Sequence, residues 1–182
     1  WKELLPEGTP VIITNRAERE GGHFEGTESE RIEILLNAIN QGVACVDIEL
    51  STPQKQINKI LNAAKDTDTS VITSFHDFED IPPIEELIET AQRMEELEGS
   101  IGKIIGFTKN FRNGMKILDF LLRVPEEVDI PIISFAMGKA GRYTRIMSAL
   151  FGSPIVYAAV EEKTAPGQFD VKTTRSLLEV IK

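Results

Sequence analysis

Six short runs rich in isoleucine and valine alternate with segments of helical periodicity, and that alternation restricts the fold more than any other feature. The runs cover residues 11–14, 45–50, 71–75, 101–107, 130–135 and 155–160. Short, continuously apolar runs of this kind suit strands buried on both faces, as in a parallel sheet. Between them, Ile32, Leu35, Leu36 and Ile39 fall at i, i+3, i+4 and i+7, behind the capping-box pattern Thr27-Glu28-Ser29-Glu30. Ile57, Ile60, Leu61 and Ala64 repeat the spacing, as do Ile84, Leu87, Ile88 and Ala91. Residues 115–122, 144–151 and 173–181 are shorter helical candidates, and Gly42 and Gly99 stand where helices should stop. Strand–helix alternation this regular predicts an α/β fold with a parallel sheet, either open and doubly wound or a (β/α)8 TIM barrel.

Two observations favour the barrel. No G-x-G-x-x-G or G-x-x-x-x-G-K-[ST] follows a strand run, so the nucleotide-binding open sheets lose support. Polar residues gather just where the runs end: Asn15 and Arg16 after the first, Glu49 on the second, His76 after the third, Met137-Gly138 after the fifth. A barrel collects its active site at the carboxyl ends of its strands. Six runs fall short of eight, so a closed barrel requires two more strands, placed ahead of Trp1.

The formal charge of −9 argues against a nucleic-acid or membrane-surface partner, either of which wants a basic face. It leaves room for a small anionic substrate, which needs only a few local cations. No stretch reaches the ~18 apolar residues of a membrane span, and the opening Trp1-Lys2-Glu3-Leu4-Leu5-Pro6 does not read as a signal peptide. The single cysteine, Cys45, lies in an apolar run, allows no intrachain disulfide and fits a reducing compartment.

The residue with most chemical content is Lys103, inside the apolar run Ile101-Gly102-Lys103-Ile104-Ile105. A lysine drawn into a strand can lose water and proton affinity, which makes its amine a nucleophile for carbonyl groups. The competing reading is a strand-end lysine whose stem is buried while its amine reaches solvent. His76, in Ser74-Phe75-His76-Asp77-Phe78, supplies a group suited to moving protons near neutral pH, or else is a hydrogen-bonded structural histidine. Together the two suggest a carbonyl substrate held as an imine while an imidazole shuttles a proton. Asp77 could orient the imidazole or cap the next turn. Asp47 and Glu49, two apart on a strand, share a face and could bind substrate hydroxyls, orient His76 or balance Lys103. Arg16, Arg142 and Arg145 are candidate anion holders, against the alternative of solvated surface arginines. Gly21-Gly22 and Ala165-Pro166-Gly167 look like tight loops. With two histidines, His23 and His76, far apart and no H-x-x-x-H or C-x-x-C spacing, no metal site is expected.

These residues also carry a resemblance. Thr14-Asn15-Arg16 with Glu20-Gly21-Gly22, Asp47-Ile48-Glu49-Leu50, Ser74-Phe75-His76-Asp77-Phe78 with Pro82, Gly102-Lys103-Ile104, Met137-Gly138 leading to Thr144-Arg145 and Phe151-Gly152-Ser153-Pro154, and Lys163-Thr164-Ala165-Pro166-Gly167-Gln168 occur in this order. In this set the chain resembles type I 3-dehydroquinate dehydratase, the Schiff-base dehydroquinase of the shikimate pathway. The resemblance implies a hydro-lyase that converts 3-dehydroquinate to 3-dehydroshikimate by syn elimination of water. Lys103 would form the imine and His76 would act as base, then acid. Arg145 would hold the substrate carboxylate, and Thr164 and Gln168 would lie in the loop that closes over the substrate. Arg16 and Glu49 would bind ring hydroxyls and place the histidine. The chemistry requires no metal or organic cofactor. The family has two strands ahead of the first one here. Residues 1–182 are therefore expected to form a single barrel domain that is N-terminally incomplete, short by roughly 35–50 residues on the scale of two βα units. By the same analogy the protein is expected to be cytoplasmic and homodimeric, with a small-molecule substrate as its partner. Two other readings stay open: another class I Schiff-base barrel enzyme of the aldolase or transaldolase type, and a non-catalytic truncated barrel that only binds ligand.

Overall fold

Residue parity along the strands decides which side chains face the helices and which face inward. The computed structural model describes residues 3, 5–161, 165 and 167–181. Its strands are β1 (Ile12–Thr14), β2 (Cys45–Glu49), β3 (Ser70–His76), β4 (Ile101–Phe107) and β5 (Ile132–Met137). They form one sheet in the order β1-β2-β3-β4-β5, every pair parallel. The helices are α1 (Glu28–Asn40), α2 (Gln54–Lys65), α3 (Ile84–Glu96), α4 (Phe111–Arg123), α5 (Thr144–Met147) and α6 (Val171–Ile181).

Val46 and Ile48 of β2 and Val71 of β3 pack against Ile32, Leu35 and Ile39 of α1 and Ile57 and Ile60 of α2. Ile104 of β4 and Ile132 and Ala136 of β5 pack against Leu87, Ala91 and Met94 of α3 and Ile117, Phe120 and Leu121 of α4. The opposite strand parity carries a separate apolar cluster of Cys45, Ile72, Ile105, Ile133, Phe135 and Met137, which no helix joins among the described residues. Consecutive parallel strands with their helices on one face form an arc of a (β/α)8 barrel; a doubly wound sheet would reverse strand order and cover both faces. The expectation of a barrel-type α/β fold is borne out.

Local signals explain most boundaries. The Thr27 hydroxyl accepts the Glu30 N–H while the Glu30 carboxylate accepts the Thr27 N–H, so the capping box that opens α1 is closed in both directions. Gly42 takes φ +74° after α1, as a helix stop requires. After α3 it is Glu98 that turns left-handed, with φ 58°. Gly99 serves instead for close approach, since a Cβ there would lie 3.0 Å from Cγ2 of Thr73.

Two expectations shift. The fifth strand is Ile132–Met137 rather than 130–135, because Pro131 has no N–H for the ladder, while the pairing runs on to Met137 opposite Phe107. Residues 155–160 form no strand. Ile155 and Tyr157 do pack onto the inward cluster, but the backbone of this run makes only one parallel bridge among the described residues, Ala159 with Asp170. Its side-chain alternation is that of a strand; a neighbouring ladder is what it lacks.

Candidate active site

The inward face of β2, β3 and β4 carries a polar layer that spans more than one register step. Asp47 and Glu49 project from β2, Ser74 and His76 from β3, and Lys103 from β4. The register sets Ser74 beside Glu49 on one side and Lys103 on the other. Beside them on the same face lie Ile72, the register partner of Asp47, and Ile133, the register partner of Lys103, so the charged groups are flanked by apolar side chains.

Lys103 is buried, with its side chain 9% exposed, and its Nζ lies 2.9 Å from Oδ2 of Asp47. It is therefore not a lysine whose amine escapes to solvent. The Tyr157 ring lies 4.8 Å from the same nitrogen. Asp47 is wholly buried. Burial works to raise its carboxyl pKa, but the Lys103 and Arg16 charges and hydrogen bonds from Ser74 and Lys103 outweigh it and bring it to about 2.

Arg16, in the loop after β1, spends its fork on this layer. Nη2 meets both Asp47 oxygens at 2.9 Å, and Nη1 donates to Oε1 of Glu49 at 3.0 Å and to the Ser74 hydroxyl at 2.7 Å. Glu49 is also fully buried; it accepts the Ala17 N–H at 2.9 Å and pairs through Oε2 with Nη1 of Arg31 at 2.8 Å. Arg31 comes from α1, is 2% exposed, and is held further by Glu28 and by the Asn15 carbonyl. From Lys103 to the rim the charges thus alternate: Lys103, Asp47, Arg16, Glu49, Arg31, Glu28. Alternation is what makes the burial tolerable, since an isolated buried charge costs several kcal/mol.

His76 is placed separately. Its Nδ1 lies 2.9 Å from Oε2 of Glu20, which arrives on a short 3-10 turn, Glu18–Glu20, and is itself braced by the Ser51 hydroxyl. The turn can fold back this tightly because of Gly21 and Gly22. Gly21 takes φ +81°, and a Cβ on Gly22 would collide with the Arg16 carbonyl oxygen. Burial raises the Glu20 carboxyl pKa, but the hydrogen bonds and charge from His76 and the Ser51 bond prevail and lower it. A carboxylate that stays ionised can only accept, so Nδ1 carries the proton and Nε2 is left as the basic nitrogen. Burial, with Arg16 and Lys103, lowers the His76 pKa from the usual histidine value against the pull of Glu20. The ring is therefore neutral at neutral pH.

The anion-binding candidates separate. Arg145, on α5, is 2% exposed, with its guanidinium 4.3 Å from the centre of the Phe135 ring; burial lowers its pKa to about 10. Arg142 stacks on Phe169 at 3.8 Å. Gln168 is buried next to the turn at Gly167. Thr164 lies outside the described residues.

Of the seven site residues expected from sequence, Lys103, Arg16 and Glu49 thus belong to one network of charges, and His76 stands one register step beyond Lys103 on the same inward face. Glu49 departs from expectation in detail: it is enclosed by Arg16, Arg31 and the Ala17 N–H, and the carboxylate that meets His76 is that of Glu20. Asp77 caps the following turn through the Glu79 and Asp80 N–H groups rather than orienting the ring. Sequence reasoning assigned no role to Glu20 or Arg31. Arg31 had a signal: it stands four residues before Leu35 on the apolar stripe of α1, where a surface arginine does not belong. Glu20 had none beyond its place before Gly21-Gly22.

Known proteins share this arrangement of fold and sequence. The family model for type I 3-dehydroquinase matches residues 2–182. The chain is 38% identical over 178 residues to the 3-dehydroquinate dehydratase of Methanothermobacter thermautotrophicus, covering 97% of this chain and 76% of that protein. Among solved structures, it is similar to the 3-dehydroquinate dehydratase of Geobacillus kaustophilus, with TM-score 0.89, 28% identity, and 94% and 67% of the two chains covered. It is also similar to the type I 3-dehydroquinate dehydratase of Clostridium difficile, with TM-score 0.87, 29% identity, and 94% and 68% covered; that protein is described with covalently modified comenic acid.

Proposed function

The chain belongs to the type I 3-dehydroquinase family, and from that premise we propose that Lys103 forms the imine and His76 moves the protons in the dehydration of 3-dehydroquinate. The reaction is that of a hydro-lyase, in which 3-dehydroquinate loses water through a lysine imine to give 3-dehydroshikimate. Family membership displaces the aldolase-type and non-catalytic alternatives. The observation that carries the residue assignment is the pairing of a buried lysine with a neutral histidine on adjacent strands of the inward face.

Each step has a group for it. Lys103 attacks the ketone and water leaves. The protonated imine then acts as an electron sink, so the C–H bond beside it becomes acidic. Nε2 of His76 takes that proton and a neutral enamine forms. The imidazolium next protonates the departing hydroxyl, and the enamine pushes it out as water, leaving a conjugated imine that hydrolyses to product. One imidazole serves as base and then acid because both transfers occur on one face of the ring, as syn elimination demands. Glu20 fixes the ring tautomer throughout.

Arg145 is assigned to the substrate carboxylate, where a planar fork gives two parallel hydrogen bonds. Gln168 and Thr164 belong to the segment assigned to closing over the ring. The contacts of Arg16 and Glu49 support a placing role, with the Arg16 fork facing Asp47, Glu49 and Ser74. The assigned chemistry uses no metal or organic cofactor. A single barrel domain over residues 1–182, a homodimer and a cytoplasmic location complete the proposal by analogy with the family. No helix among the described residues is long and apolar enough to cross a membrane.

The test is His76→Ala. Turnover, followed by the ultraviolet absorption of the conjugated product, falls by about 10²–10⁴-fold, the usual worth of a positioned acid–base group. The imine still forms and is still trapped by borohydride. Near-normal turnover in this variant would remove His76 from the mechanism.

A further inference from the structure

Condensation of a lysine ammonium with a ketone conserves charge. R–NH3⁺ and O=C give R–NH⁺=C and water: two nitrogen protons leave with the ketone oxygen, and the third stays with the positive charge. That third proton is what makes the imine an electron sink, and in a buried site it needs an acceptor.

We propose that Asp47 is the counter-ion of the protonated imine, its Oδ2 accepting the one N–H that the Lys103 nitrogen keeps once joined to substrate. The inference rests on Lys103 as the imine-forming residue. Its ground is geometric. Oδ2 of Asp47 lies 2.9 Å from Nζ of Lys103, and the carboxylate is sealed from solvent. Among the described residues, the other charged groups around the nitrogen are committed elsewhere. From β2, Glu49 is taken by Arg16, Arg31 and the Ala17 N–H. From the loop after β1, Arg16 faces Asp47 and Glu49. At the end of β3, His76 is bound to Glu20, which is braced by Ser51. The Tyr157 ring covers the nitrogen from the segment after β5, and burial raises the pKa of its phenol, so it adds no charge. Cys45, on the same face of β2, has its thiol pKa pushed up by burial to about 11 and is neutral. The partner of Lys103 on β5 is Ile133, which is apolar. Arg145 stands over Phe135.

The surroundings of Asp47 suit a charge that comes and goes. When the nitrogen is neutral in the enamine, the carboxylate keeps both oxygens on Arg16 and one on the Ser74 hydroxyl. When the imine is protonated, Oδ2 has a partner again. Asp47 is held far below neutral pH by these cations, so it stays an acceptor and does not compete with His76 for the substrate proton.

The test uses Asp47→Asn in the full chain. The basic limb of the kcat–pH profile reports loss of a required proton in the bound complex. It moves down by about one pH unit or more, with about tenfold less turnover above it, and Asp47→Glu restores the limb. A limb unmoved in Asp47→Asn overturns the proposal, whatever happens to the absolute rate, since a merely structural defect lowers kcat at every pH. If the asparagine variant does not fold, the unaltered chain still decides the matter. With 15N-labelled lysine and 3-dehydroshikimate added, the imine nitrogen keeps the chemical shift of a protonated imine from about pH 6 to 9, spanning the ordinary histidine range and beyond. Deprotonation within that interval overturns the proposal. A borohydride-reduced adduct on Lys103 with an unmoved limb strikes Asp47 alone; no adduct on Lys103 in the unaltered chain overturns the Lys103 reading and this inference with it.

Discussion

His76 shows how one side chain can be tuned by opposed influences. Burial is the largest and lowers its pKa; the Glu20 hydrogen bond raises it; the Arg16 and Lys103 charges lower it again. The sum keeps the ring in its basic form down to a pH below the ordinary histidine value, so activity is lost as pH falls through that lowered pKa. Glu20→Gln removes the one neighbour that pulls the pKa up by direct contact. We predict that the acidic limb of the kcat/KM–pH profile, which reports the unliganded protein, moves to still lower pH in this variant. Turnover should also drop, by up to about 10⁴-fold, the scale seen when the carboxylate that fixes the tautomer of an acid–base imidazole is replaced by its amide. An acidic limb at higher pH would mean that Glu20 does not hold the ring. Lys103 and His76 were both legible in the sequence, because a charged residue in an apolar strand and a histidine at a strand end each break a pattern. Glu20 was not, because its contact with His76 spans 56 positions and arises only when the Gly21-Gly22 turn folds the loop back.

At the scale of elements, β2 and α1 do the most to position the site. The two-residue period of β2 sends Val46 and Ile48 to the helices and Asp47 and Glu49 inward, so a slip of one residue would bury two carboxylates against α1 and α2. Helix α1 supplies Arg31 from the N-terminal end of its buried stripe, which ties the helix to the far oxygen of Glu49. Arg31→Leu keeps the helix and its apolar face but takes from the buried Glu49 the cation on Oε2, leaving Arg16 and the Ala17 N–H on Oε1. We predict a loss of about 3–5 kcal/mol of unfolding free energy, the scale for breaking a buried pair by removing one partner. Arg123→Ala removes an exposed pair with Asp119 on α4 and should cost under about 1 kcal/mol in the same urea titration. Equal small effects would show that the buried chain of charges adds no more to stability than a surface pair. Helix periodicity and the capping box were legible because they are local. The run at 155–160 misled because alternation fixes which side chains point inward, whereas a strand also needs a backbone partner, and here that amounts to one bridge.

For the whole molecule, the alternation of runs and helices was sufficient for a parallel α/β architecture, and the gathering of polar residues at strand ends favoured the barrel over the open sheet. The sequential strand order with helices on one face agrees. What the sequence did not reveal is the continuity of the site: a line of alternating charges from Glu28 at the rim to Lys103 within, assembled from α1, β2, β4 and the loop after β1. The assembly makes functional sense only if imine chemistry runs on Lys103. Peptide mass spectrometry decides this, after the chain is mixed with 3-dehydroquinate and reduced with borohydride. A substrate-derived mass increment is expected on the peptide carrying Lys103, and it should be absent in Lys103→Ala. An adduct that persists in Lys103→Ala, or that maps to another lysine, would place the chemistry elsewhere and contradict the assignment.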